Sequence, residues 1–309
     1  LRKNMVEHIY RIDLDLTGLC NRRCAFCPRV DDSYPNENKH MSFAVVEEVM
    51  KQLRSIKYKS WIELAGRGES TLHPQFLEIV DMLSKDAWKL RLTTNGYKIK
   101  KWWNPETLKK FDEVILNTYT NEKEYEQRVR DYAFLPNGVP VEHYYKPDGL
   151  SVDEINKTEG FFLPNDTDVK PIRWSYAFNN RAGHFSNKVV NAPCWHPMRQ
   201  IFIDYNGFYQ MCCNDWTYQV KIGHVLERGL IDMYINDPKM NRVRWSLLNG
   251  ERDRVKPCSM CDDTQGGKAS TKQDIERLMK TDDYKYHIAK IAGTTGLKYR
   301  ESLESGDNI

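Results

Sequence analysis

The chain has 309 residues, 40% of them hydrophobic, and its 46 basic and 43 acidic residues leave a formal net charge of +3. A chain of this length buries a core without cross-links, so the eight cysteines are not needed as a disulfide framework, and the balanced charge, with no long basic block, does not imply nucleic acid. No run of about eighteen apolar residues occurs and the first residues are mixed polar, so the expectation is a soluble cytoplasmic protein with no membrane partner, where clustered thiols serve metal or redox chemistry.

In chain order, Ile12, Leu14 and Leu16 alternate with charged residues and predict a first strand over 9–16, followed at once by a cysteine-rich loop. Ser42 is placed to cap a helix through Phe43, Val45, Val46, Val49, Met50, Leu53 and Ile56. A strand over 61–65 ends in Gly66-Arg67-Gly68-Glu69, and Phe76, Leu77, Val80 and Leu83 share one face of a helix over 74–83. The alternation continues with a strand over 90–94 closed by Asn95-Gly96, a helix over 106–111, and strands over 114–117, 139–145 and 173–178. Repeated strand–loop–helix units imply a parallel α/β sheet with its functional groups on the loops at the carboxyl ends of the strands.

Residues 179–193 are polar and rich in Asn, Gly and Pro, which marks a boundary. Beyond it, apolar-aromatic strands flank Asn206-Gly207, a hairpin signal, and residues after Gly267 are charged, helical at first through Ile275 and Leu278. Three units are expected: 1–190, 191–267 and a tail over 268–309.

Cys20, Cys24 and Cys27 form C-x3-C-x2-C on the loop after the first strand. Three thiolates on a cubane cluster leave one iron open, whereas structural zinc takes four protein ligands. The triplet by itself also admits zinc with a fourth ligand such as His40. With Phe26 before the third cysteine, it resembles the signature of the radical S-adenosylmethionine superfamily. Gly66, Gly68 and Glu69 are similar to that family's G-G-E motif, although Arg67 and Ser70 depart from the common form. Thr94 and Asn95 resemble a T-N-G segment, and Asn117, with Thr118 beside it, lies where the family places a polar residue toward the ribose. The resemblance implies a partial (β/α)6 barrel in which the cysteines hold a [4Fe–4S] cluster and Phe26, Gly66, Gly68, Glu69, Thr94, Asn95 and Asn117 surround S-adenosylmethionine.

Cys194, then Gly207-x4-Cys212, then Cys258-x2-Cys261 supply four further thiols, which by themselves suit zinc or iron–sulfur equally. Their order, with Ile222-Gly223-His224-Val225 and residues 230–234 between them, resembles the twitch domain, a shortened SPASM domain. That implies one auxiliary [4Fe–4S] cluster. Cys213 is left over. A thiol beside a substrate radical can return a hydrogen atom and so epimerise it; the plain reading is a small buried thiol next to a ligand.

Arg173 and Arg181, with His184 nearby, lie at or after the last barrel strand and are candidates for holding an anionic or hydroxylated substrate. His196 and His224 read as structural, and Trp102-Trp103 as packing. The resemblance implies a 5′-deoxyadenosyl radical that takes a substrate hydrogen, fed by a flavodoxin- or ferredoxin-type reductant. Dehydrogenation or epimerisation of a small polar, sugar- or aminocyclitol-like substrate is the expectation. Radical modification of a peptide, and a non-catalytic zinc protein, are the alternatives.

Overall fold

The computed structural model of the chain describes residues 9–97, 105–118, 141–145, 159–163, 172–175, 179–185, 189–190, 192–194 and 196–263. Strands β1 (Arg11–Leu14), β2 (Trp61–Leu64), β3 (Lys89–Thr94), β4 (Glu113–Thr118) and β5 (Val141–Tyr145) pair in sequence order, all parallel. Between them run α1 (Phe43–Ser55), α2 (Phe76–Leu83) and α3 (Pro105–Leu108). Ser42 caps α1 as expected, its side chain accepting from the Val45 N–H at 3.4 Å.

The period-two pattern divides these strands by face. Ile12, Leu14, Ile62, Leu64, Leu90, Leu92, Val114 and Leu116 are buried in one core with Val46, Val49 and Leu53 of α1 and Ile79, Val80 and Leu83 of α2. Arg11, Asp13, Glu63, Arg91 and Thr93 share the other face. There Arg11 reaches Asp13 and Glu63 at 2.7 Å each, and Thr93 donates to Glu63 at 2.7 Å. Charged residues alternating with apolar ones on a surface strand would face water. In a curved sheet they line the inside, and Asp13 is accordingly buried.

Two features were not foreseen. Strands β6 (Glu159–Leu163) and β7 (Ile172–Ser175) join the sheet antiparallel to their neighbours, so β7, the expected last barrel strand, does not pair with β5, and the sixth parallel strand comes from elsewhere. Residues 164–171 are too few for the helical crossover that a parallel partner demands. The second surprise is on the other side of β1. After α4 (His196–Arg199), strand β8 (Gln200–Ile203) pairs parallel with β1, Leu14 standing opposite Ile203.

Strand β9 (Phe208–Gln210) returns antiparallel across the expected Asn206-Gly207 turn, and β10 (Lys221–His224) follows it. The turn needs Gly207, whose φ is +87° and where a Cβ would sit 2.8 Å from both His224 Nε2 and a Val45 methyl carbon. Helices α5 (Leu230–Asn236), α6 (Pro238–Leu248) and α7 (Lys256–Ser259) complete the described second half. The ten strands run in the order β10-β9-β8-β1-β2-β3-β4-β5-β6-β7. Ile201, Ile203, Tyr209 and Met233 sit in the same core as Leu14 and Leu64, so sheet and core continue across the boundary expected near residue 190. Trp102-Trp103 and the expected helix around Ile275 and Leu278 lie outside the described residues.

Candidate active site

The cysteine triplet follows β1, the Gly66–Glu69 turn follows β2, and Thr94 ends β3, so all three motifs gather at the carboxyl ends of adjacent parallel strands. The Gly66–Glu69 turn is pressed against the chain leading to Cys20: the Glu69 N–H donates to the Leu19 carbonyl at 2.7 Å. A Cβ on Gly68 would lie 1.9 Å from the Thr17 carbonyl oxygen, and one on Gly66 2.2 Å from the Asp15 carboxyl. Glycine is therefore required here for the two loops to touch.

Glu69 is buried and accepts from Thr71 Oγ1 at 2.6 Å, Thr94 Oγ1 at 2.5 Å and the Asn95 N–H at 2.8 Å. Burial pushes its carboxyl above the usual range while these donors pull it back. Asn95 in turn donates to Asn21 Oδ1 at 2.9 Å and stands 4.0 Å from Cys20 Sγ. Cys20, Cys24, Cys27, Phe26, Gly66, Gly68, Glu69, Thr94, Asn95 and Asn117 line one open cavity of about 600 Å³. Every residue expected to bind the cofactor is thus brought to one place.

Arg67 explains its own departure from the G-G-E pattern. Its guanidinium lies 4.0 Å from the Tyr218 ring centroid and 4.6 Å from that of Phe202, and Nη2 donates to the Asp215 carbonyl at 2.5 Å. The side chain thereby ties the Gly66–Glu69 turn to the second half, which also sends Trp216 to the cavity wall.

The donor spacing separates cluster from single ion. Zinc–sulfur bonds of 2.3 Å in a tetrahedron place sulfurs about 3.8 Å apart. Among the described residues, the one group of three or more Cys, His, Asp or Glu ligand atoms within 4.8 Å of one another is His196, Cys212 and Cys213, so the triplet is spread wider than a mononuclear site. His40, the possible fourth ligand, does not line this cavity; it is bonded to Thr17 Oγ1 at 2.9 Å and Asn38 Oδ1 at 3.0 Å. Three thiols facing an open cavity fit a cubane cluster with one iron left for a small-molecule ligand.

Cys194, Cys212, Cys258 and Cys261 line a second cavity of about 330 Å³, with Arg252 and Asp263 on its wall. Burial pushes Cys194 up to about 12 and Cys261 to about 11, so both are neutral thiols in the metal-free chain and metal uptake here releases protons. A four-sulfur set suits a fully ligated cluster.

Cys213 faces elsewhere. It lines a third, open cavity of about 840 Å³ with Arg11, Asp13, Arg181 and Asn214. This space adjoins the first cavity, since Phe26, Cys27, Ala65, Gly66, Thr93, Asn117 and Trp216 border both. A hydrogen bond with Cys212 and the nearby His196 and Arg11 pull Cys213 down to about 5 in the metal-free chain. A Cys212 thiolate bound to metal has no proton to give, so its donation to Cys213 ends when the second set is loaded.

Arg181 reaches the third cavity from a left-handed turn at φ +52°. Arg173 lies in β7 opposite Phe161, and its side chain is outside the described residues. Burial holds His184 below the usual imidazole range. His196 lies between Gln200 and Asp263, and His224 is bonded to the Asn206 carbonyl at 2.7 Å. Arg11, Asp13, Phe202, Asn214 and Trp216 were missed. Arg11 and Asp13 are charges alternating along β1, a pattern that by itself reads as a wet face.

A sequence model described as the radical SAM superfamily matches residues 14–121, and one described as an iron-sulfur cluster-binding domain, SPASM, matches 194–262. A GTP 3′,8-cyclase of Pasteurella multocida is 31% identical over 96 residues, 30% of this chain and 28% of that protein. A tungsten-containing aldehyde ferredoxin oxidoreductase cofactor-modifying protein of Pyrococcus furiosus is 28% identical over 83 residues, 27% of this chain and 23% of that one. The matched stretch is thus about a quarter of these relatives' length. The solved structure of BtrN in complex with AdoMet and 2-DOIA has a TM-score of 0.63 at 20% identity, covering 86% of this chain and 97% of that one. Residues 14–121 thus carry a radical SAM domain, with S-adenosylmethionine and a [4Fe–4S] cluster as its cofactors, and residues 194–262 a domain for auxiliary iron–sulfur, on a mixed α/β fold.

Proposed function

We propose that this enzyme removes a hydrogen atom from a small polar substrate of the sugar or aminocyclitol kind and converts it by oxidation or epimerisation. The observation that carries this reading is the third cavity. Its wall offers Asp13, Asn117, Asn214, Arg11 and Arg181 to hydroxyl or amino groups, and it opens onto the cavity of the triplet. Among relatives, the structure of BtrN holds AdoMet and 2-DOIA together, which agrees with a cofactor site and a second ligand site side by side.

Cys20, Cys24 and Cys27 would hold the first cluster, and Phe26, Gly66, Gly68, Glu69, Thr94, Asn95 and Asn117 would surround S-adenosylmethionine. When bound and reduced, that pair supplies a hydrogen-abstracting carbon radical. Glu69, fixed by donors from Thr71, Thr94 and Asn95, keeps an acceptor at the place where the family binds the methionine amino group. The Phe26 ring and the Asn117 side chain stand where the two cavities meet, and would flank the reacting carbon.

Two outcomes have support. Asn214 borders both the third cavity and that of Cys194, Cys212, Cys258 and Cys261, so an auxiliary cluster there would lie next to the substrate and could take an electron, giving dehydrogenation. Cys213 borders the substrate space itself and could return a hydrogen atom from its thiol, giving epimerisation. Anaerobic reconstitution with iron and sulfide, then reduction by a flavodoxin- or ferredoxin-type protein with S-adenosylmethionine and a panel of sugars and aminocyclitols, tests the reading. Release of 5′-deoxyadenosine that rises with one of them supports it. Tight zinc without deoxyadenosine would defeat it, and stimulation by peptides alone would replace the substrate class. Turnover in deuterated water distinguishes the outcomes, since the epimer alone gains solvent deuterium through the thiol.

A further inference from the structure

Arg252 begins the short turn between α6 and α7 and is 1% exposed. Its guanidinium donates from Nε to the Ala192 carbonyl at 2.7 Å, from Nη1 to the Cys261 carbonyl at 3.1 Å, and from Nη2 to the Asp263 carbonyl. One side chain therefore grips the chain just before Cys194, Cys261 itself, and the segment just after it, while lining the cavity of all four cysteines. These segments are far apart in sequence, and the planar fork of arginine is the group that can hold three carbonyls at once.

Among the described residues, the charge of Arg252 is met by three carbonyl dipoles. A buried cation is costly unless an anion or a full set of dipoles accompanies it, and among the described residues Arg252 forms no ion pair with a carboxylate. The two acids on the cavity wall are engaged elsewhere. Asp215 accepts from the Gln219 and Val220 N–H groups, and Asp263 Oδ2 from the side chains of Asn179, Asn214 and His196. Arg244, another buried guanidinium of this half, is different: it stacks on Tyr234 with its centre 4.2 Å from the ring centroid and does not line the cavity. Arg252 shares the wall of this cavity with four cysteines, and four thiolates around an iron–sulfur core make a net anion.

We propose that Arg252 is a positioning residue of the auxiliary centre that spaces its cysteine segments and acts as the cluster's counter-charge, holding its reduction potential up. A reduced cluster carries one more negative charge than an oxidised one, so a fixed neighbouring cation favours the reduced form. The consequence for the enzyme is a centre suited to accepting an electron from the adjoining substrate space. The inference rests on the reading that Cys194, Cys212, Cys258 and Cys261 hold an iron–sulfur cluster.

The test uses full-length protein carrying Cys20→Ala, Cys24→Ala and Cys27→Ala, so that any iron–sulfur signal belongs to the second set. Iron and sulfide content and the midpoint potential, from an electron paramagnetic resonance redox titration, are compared with Arg252 intact, Arg252→Lys and Arg252→Met. The expected result is a downward shift of the potential in Arg252→Met and a much smaller one in Arg252→Lys, which keeps the charge and loses part of the grip. An unshifted potential in Arg252→Met, or an equal shift in both variants, overturns the counter-charge role. If Arg252→Met holds no cluster, Arg252→Lys decides alone: a potential near that of intact Arg252 supports the proposal, and a marked fall overturns it. Zinc in place of iron with Arg252 intact would defeat the underlying reading instead.

Discussion

Thr94 Oγ1 donates to Glu69 Oε1 at 2.5 Å, so the residue that ends the third strand fixes the acid that follows the second. With the Asn95 N–H on the other oxygen, the carboxylate is held in one orientation before any ligand arrives. Glu69→Gln keeps the shape and loses the charge. It should weaken S-adenosylmethionine binding to the reconstituted protein about 10- to 100-fold, the equivalent of a charged hydrogen bond at roughly 1.5–3 kcal/mol. Thr94→Val should cost less, because the Thr71 hydroxyl and N–H and the Asn95 N–H remain as donors. Calorimetric titration checks both, and equal affinity in Glu69→Gln and the native chain would remove Glu69 from the binding site.

Adjacent cysteines are assigned to different cavities, and their substitutions should part accordingly. Cys212→Ala removes a sulfur from the set with Cys194, Cys258 and Cys261, so iron content after reconstitution should fall toward half. Cys213→Ala should retain full iron, because its thiol lines the space with Asp13 and Arg181 instead. Iron and sulfide assays on the two proteins decide it. Loss of iron in Cys213→Ala with retention in Cys212→Ala would reverse the assignment.

Much of this site could be read along the chain because its parts are local. Cys20, Cys24 and Cys27 share one loop, and the Gly66–Glu69 turn and Thr94-Asn95 each end a strand whose apolar period is plain. What stayed hidden depends on distant pairing. Strand β8 is a short apolar run that could pair with any edge, and only the fold places Ile203 opposite Leu14. Arg67 looked like a defect in a glycine motif because Tyr218 and Asp215, which occupy it, come about 150 residues later. Asp13 was hidden differently: alternating charges usually mean a wet face, and here that face is the inside of the sheet.

The β1–β8 seam predicts that the two cysteine-bearing halves stand or fall together. Ile203 is fully buried between them, so Ile203→Ala should cost about 2–5 kcal/mol of stability from lost contacts and the cavity left behind. Because Leu14 and Leu64 share that core, backbone hydrogen exchange should quicken in peptides of β2 as well as β9. Faster exchange confined to residues 200–224 would mean that the second half unfolds on its own.

Asp15 sets a pH dependence whose sign can be worked out. It is 1% exposed, and burial pushes its carboxyl up to about 7 against the opposing pull of Arg67 and the N–H groups of Arg67 and Gly68, while the unfolded chain returns it to about 3.8. Between these values the folded chain keeps a proton that the unfolded chain has released. Stability should therefore fall as pH rises from about 4 to 7, by up to roughly 1.4 kcal/mol per pH unit for this one group. Asp13, pushed up to about 8, acts in the same direction. Asp15→Asn is uncharged in both states and removes one such contribution. In urea unfolding of the metal-free protein, the native chain should lose more stability between pH 5 and 7 than Asp15→Asn does. Parallel pH profiles for the two proteins would mean that Asp15 is ionised in the folded state, and that the Arg67 guanidinium outweighs its burial.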